Sequence, residues 1–125
     1  MKTVKKAAKM VRAAGNSSGH SAVKAKVKEN LPGKWRAEKW TAFIAEVVTF
    51  LLSKGKLKDD VADTVTVLIK AGYITEEDLT NISSDKREFR LELDNKGVQS
   101  AIANLLFDEF VGGPGAQNRR AIREA

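Results

Sequence analysis

The chain has no cysteine, so neither a disulfide nor a thiolate metal site can form. It has one histidine, His20, which lies in a Gly/Ser stretch with no carboxylate or nucleophile at motif spacing. No acid, base and nucleophile set can be assembled around it, and an enzyme is not expected. Carboxylates alone would have to hold a metal, and Asp59, Asp60 and Asp63 lack the spaced oxygen ligands and central glycine of a calcium loop. No metal or cofactor is therefore expected. The apolar runs are broken by Thr, Ser or charge, which argues against a membrane span and predicts a soluble, cytoplasmic chain. A length of 125 residues with 42% hydrophobic residues suits one core and leaves little room for a multidomain enzyme.

The most telling scarcity is of acid near the start, where none precedes Glu29 while Lys2, Lys5, Lys6, Lys9, Arg12, Lys24, Lys26 and Lys28 have already passed. Over residues 1–40, nine Lys and two Arg stand against Glu29 and Glu38, a net +9, whereas residues 41–125 carry eleven cations against fourteen acids, a net −3. A basic arm followed by a mildly acidic body points to a polyanion, because each Lys brought to a phosphate releases condensed counterions.

Within residues 2–14, Val4, Ala7, Ala8 and Val11 recur at helical spacing among the cations, which predicts a basic amphipathic helix. It has no Trp, Phe or Leu to insert, so a membrane partner is not expected. Gly15-Asn16-Ser17-Ser18-Gly19-His20-Ser21 has the composition of a flexible linker. It is not a nucleotide-binding loop, having three residues between its glycines, His where Lys belongs and no preceding strand. Residues 22–31 fit both periods: Val23, Val27 and Leu31 share a helix face, while Val23 to Lys28 alternates like a strand. Their Lys, Ala and Glu content favours a helix ending at Pro32-Gly33.

Trp40, Phe43, Ile44, Val47, Val48 and Leu51 predict a core helix over about 36–53. A second follows over 59–71, with Asp59, Asp60 and Asp63 in its first turns and Gly72 ending it. Thr75-Glu76-Glu77-Asp78 reads as a capping box with Asp in place of Glu. Phe89, Leu91 and Leu93 alternate with charged residues, predicting a half-buried strand over 88–94 that needs a pairing partner, in a hairpin or in a second copy. Val98, Ala101, Ile102, Leu105, Leu106 and Phe110 favour a helix over about 96–110. Gly112-Gly113-Pro114-Gly115 marks a stop before a tail with Arg119, Arg120 and Arg123. The expected architecture is a mostly α, small helical body over 34–111 with one short β-strand or hairpin. A basic arm (1–33) and a basic tail (112–125) flank it, and the body is expected to fold without the arm.

Helix 59–71, the Gly72-Tyr73 turn and helix 76–82, followed by a strand, loosely resemble a helix-turn-helix with a wing. Glu76, Glu77 and Asp78 would meet phosphates with the wrong charge, so the anion contacts are better placed on the arm and around Trp35. Trp40 falls on the apolar stripe and reads as core. Trp35 lies about 140° around a helix from it, beside Lys34, Arg36 and Lys39, and is a candidate to stack on a base or to pack on the arm. The expected nucleic-acid contacts are Lys2, Lys5, Lys6, Lys9, Arg12, Lys24, Lys26, Lys28, Lys34, Trp35, Arg36 and Lys39. The leading expectation is non-enzymatic DNA or RNA binding through phosphates, with little sequence specificity. One alternative is a viral or mobile-element structural or assembly protein of virion or nucleocapsid type, self-associating through residues 88–94. The other is an adaptor or inhibitor docking on an acidic protein.

Overall fold

The computed structural model of the chain describes residues 14–33 and 35–124. The basic helix expected over 2–14, with Lys2, Lys5, Lys6, Lys9 and Arg12, lies outside the described residues except for its last residue, and so does Lys34.

The first described element, α1 (Ala14–Asn30), runs straight through the expected Gly/Ser linker. Two glycines cost a helix roughly 1 kcal/mol each relative to Ala, so tertiary contacts must hold this stretch helical. Gly19 is buried where an added Cβ would sit 3.0 Å from Leu52 Cδ1, and His20 Nε2 lies 2.6 Å from Thr49 Oγ1. Further on, Val23 and Val27 are fully buried and Leu31 nearly so. The segment assigned to a separable arm therefore supplies part of the core, and the expectation that removing residues 1–33 leaves the fold intact is withdrawn. Helix wins over strand at 22–31 because Val23, Val27 and Leu31 fall on one face and meet one core. As expected, the helix stops before Pro32-Gly33.

A 3₁₀ turn, Ala37–Lys39, leads to α2 (Ala42–Ser53), whose Phe43, Ile44, Val47, Val48 and Leu51 are buried. The predicted start at 36 is too early because Thr41 caps the helix, its Oγ1 accepting from Ile44 N–H at 3.1 Å and donating to Ile74 O at 2.6 Å. Trp40 thus stands before α2 and is only half-buried. Next, α3 (Lys58–Ala71) closes on Gly72, whose φ of 86° makes the left-handed turn that L side chains rarely adopt. The capping box forms as read: Thr75 Oγ1 accepts from Asp78 N–H at 3.1 Å and Asp78 Oδ2 accepts from Thr75 N–H at 3.0 Å, opening the short α4 (Glu76–Thr80).

The predicted strand is the clearest correction. Residues 88–94 lie inside α5 (Lys86–Lys96), and among the described residues there is no strand. Phe89 and Leu93 are four apart, so they share a helical face and are fully buried, while Leu91 between them is 49% exposed. Asp85 caps the helix by accepting from Arg87 and Glu88 N–H at 2.9 and 3.2 Å, and Gly97 ends it. The wing and the strand edge for self-association go with it.

The predicted helix over 96–110 divides into α6 (Ser100–Leu106) and a π turn, Phe107–Val111, that aims Phe107, Phe110 and Val111 into the core. The expected tail is no free appendage. α7 (Pro114–Glu124) begins with Pro in the first turn, where its missing N–H costs nothing, and buries Ala116. It lies so close to the π turn that a Cβ at Gly115 would sit 3.0 Å from both Asp108 O and Glu109 Cα. The core gathers side chains from α1 to the π turn, with Phe43 and Phe50 edge-on to Phe110 at 5.1 and 5.7 Å. No helix among the described residues is long and apolar enough to cross a membrane.

Candidate nucleic-acid interface

The end of α1 and the 3₁₀ turn lie together because Trp35 N–H donates to Leu31 O at 2.9 Å. This folds Trp35 and Trp40 back against α1, their ring centres 6.3 Å apart and their planes tilted by 50°. Lys24 Nζ sits 5.5 Å from the centre of Trp40 and Lys28 Nζ 5.8 Å from that of Trp35. Those two lysines are one helical turn apart on an exposed face, which is why they reach two neighbouring rings. Each tryptophan covers core residues with one part and carries a cation with the other. The sequence distinguished a core Trp40 from a binding Trp35, but both are half-buried members of one cluster.

Of the other expected contacts, Arg36 is exposed beside the cluster and Lys39 is half-buried in the turn. Lys26 points elsewhere, toward Asp59 on α3 at 3.7 Å, an exposed pair worth little. Among the described residues neither Lys24, Lys28, Lys39 nor Lys70 has a carboxylate within ion-pair distance. Leu31, Lys39, Ile69 and Lys70 line a cavity of about 290 Å³. A second cavity, of about 240 Å³, is bounded by Val67, Lys70, Ala71 and Lys96. Lys70 and Lys96 escaped the sequence reading, since no local pattern joins the end of α3 to the 3₁₀ turn or to α5. Lys96 is held by Glu92 at 3.3 Å, and Glu92 also accepts from Tyr73 Oη at 2.8 Å. That phenol and Lys96 hold the Glu92 carboxyl below its ordinary range, while burial and the Glu92 charge push the Tyr73 phenol up.

The tail arginines behave differently. Arg119 faces Glu46 at 2.8 Å, Glu109 at 3.5 Å and Glu76 at 3.7 Å, with its guanidinium 4.6 Å from the centre of Phe110. Burial alone would lower its pKa, but the hydrogen bond and charge of Glu46, with the charges of Glu76 and Glu109, raise it on balance. Arg120 donates to Val111 O at 2.6 Å. Both fasten α7 to the body instead of presenting charge to a partner.

Comparison of the chain with protein-family models, curated proteins and solved structures finds no match.

Proposed function

We propose that the protein binds nucleic acid without catalysis, through phosphate contacts from a lysine surface centred on the tryptophan pair. The observation that carries this reading is the arrangement of Lys24 and Lys28 over Trp40 and Trp35 with no carboxylate paired to either among the described residues. Arg119, by contrast, is matched by acids, and Lys54 over Phe50 at 5.5 Å is a single cation on one ring instead of a neighbouring pair over two. Exposed cations held in place without a counter-charge attract an anion from outside. The net +9 of residues 1–40 supplies the wider field. Phosphate contact by lysines carries no base information, so low sequence specificity follows. Trp35 already carries Lys28 on its ring, and a stacked base would have to displace that ammonium or use the remaining ring surface.

The test is fluorescence anisotropy with labelled DNA and RNA of mixed sequence, titrated at several salt concentrations. Log affinity should fall linearly with log salt, by about 0.7–0.9 per phosphate neutralised. The double variant Lys24→Gln/Lys28→Gln should bind more weakly and with a shallower slope while melting like the wild type. Affinity that does not change between low and physiological salt would refute the reading and favour a protein partner. Removal of residues 1–33 is not a usable test, because it takes Val23, Val27 and Leu31 from the core.

A further inference from the structure

We infer that the cavity between Lys39 and Lys70 receives one nucleotide unit of a single strand, its phosphate on the two ammonium groups and its sugar or base on Leu31 and Ile69. The inference rests on the nucleic-acid reading above and narrows it from polyanions in general to unpaired strands. Three observations carry it. The first is the composition of the lining: two cations from separate elements, the 3₁₀ turn and the last turn of α3, share it with Leu31 and Ile69, which are 4% and 3% exposed. A purely ionic surface site has no need of apolar lining, whereas a nucleotide has both a charged and an apolar part. The second is size, since about 290 Å³ falls just under the roughly 300–1,000 Å³ range of drug-sized ligand pockets. It suits one nucleotide-sized group and not a duplex groove wall, whose bases are stacked and paired within. The third is charge. Lys70 in the last turn of α3 offsets the negative end of that helix, whereas Lys39 ends a 3₁₀ turn of only three residues, whose field is small, and neither has a carboxylate partner among the described residues.

The position extends the lysine surface already described. Leu31, which lines the cavity, accepts the hydrogen bond of Trp35 N–H, and Lys39 immediately precedes Trp40. A strand crossing Lys24 and Lys28 on the tryptophans would thus reach Lys39 and Lys70 next. Lys70 also bounds the neighbouring cavity with Lys96, so the path has a continuation on the far side.

The full-length protein and its variant Lys39→Gln/Lys70→Gln are compared for binding to a labelled twelve-residue oligothymidylate and to a duplex of equal length. Both substitutions change side chains with solvent access, and a thermal melt equal to wild type confirms the fold. The expected result is a loss of about five- to tenfold on the single strand, a salt slope shallower by about 0.7 per lost phosphate contact, and less than a twofold change on the duplex. Equal losses on both, or none on either, would overturn the inference while leaving the general reading intact. A second measurement follows the methyl resonances of Leu31 and Ile69 during titration with thymidine monophosphate, thymidine and inorganic phosphate. The nucleotide should shift both methyls more than either half alone, and no shift would overturn the inference. If the wild type binds neither DNA form, the nucleic-acid reading itself fails, and the inference that rests on it falls too.

Discussion

Among the described residues cations lie on aromatic rings in three places; one is the lone Lys54 over Phe50 at 5.5 Å, and the other two differ sharply in their counter-charges. On α1, Lys24 and Lys28 lie over Trp40 and Trp35 with no acid paired to them among the described residues. On α7, Arg119 lies over Phe110 with Glu46, Glu76 and Glu109 around it. The rings are indoles in one place and a phenyl in the other, and the counter-charges differ as well. Three carboxylates from three parts of the chain fasten Arg119, whereas neither lysine has such a partner among the described residues. The same contrast runs through the halves of the molecule: residues 14–71 carry ten cations against six acids, and residues 74–124 seven against ten. A count of arginines in the tail predicted a basic appendage because it could not see which acids would surround them.

The sharpest way to break the comparison is to attack the core beneath each site. Val27→Asp places an unpaired charge at a fully buried position of α1 and should cost several kcal/mol, enough to populate unfolded chain at ordinary temperature. A variant melting at the wild-type temperature would return α1 to the status of a separable arm. On the other side, Phe110→Ala should cost about 3–5 kcal/mol, the range for a buried large aromatic, read from a denaturant melt.

The next test addresses the cations themselves. Arg119→Leu should lower stability by about 1–2 kcal/mol, since it leaves three carboxylates facing one another at a partly exposed site. Amide exchange over residues 114–124 should quicken with it. Lys24→Gln and Lys28→Gln, by contrast, should stay within about 0.5 kcal/mol of wild type, as surface changes do. Equal destabilisation by the arginine and lysine variants would erase the distinction between fastening and free cation.

The smallest effect concerns Tyr73 and Glu92. Tyr73→Phe removes a hydrogen bond worth about 1 kcal/mol, and the Glu92 carboxyl, followed by NMR, should titrate closer to its ordinary value. Because the folded pKa of Glu92 is depressed, its contribution is present above the ordinary carboxylate range and is lost as pH falls through the folded value. The stability gap between wild type and Tyr73→Phe should therefore narrow in acid. A gap unchanged into strong acid would show that the phenol stabilises by packing alone.

Legibility in the sequence followed the range of the interaction. The capping box at Thr75 and Asp78, the stop at Gly72 and the stripe from Phe43 to Leu51 were readable because each signal is complete within a few turns of chain. The strand misreading at 88–94 was also local in origin: Phe89, Leu91 and Leu93 satisfy a period of two, and only the caps at Asp85 and Gly97 and the burial of Phe89 with Leu93 select the helix. The linker misreading had another cause, for Gly15 to Ser21 is a poor helix by composition, and the contacts of Gly19 with Leu52 and of His20 with Thr49 on α2 are not written in that stretch. Of the candidate interface, the sequence pointed to Lys24, Lys28, Trp35 and Lys39 but not to Lys70, which sits far along the chain.

By itself, then, the sequence determined a mostly helical chain, the positions of its strongest helices and the crowding of positive charge before residue 40. Periodicity, caps and net charge are properties of short segments, and short segments state them in full. Tertiary structure alone decided that α1 belongs to the core, that Trp35 and Trp40 form one cluster, that Lys39 and Lys70 line one cavity and that Arg119 is bonded to Glu46, 73 residues away. Each of these depends on how helices cross, which is set by the fit of whole side-chain surfaces and written in no single stretch of residues.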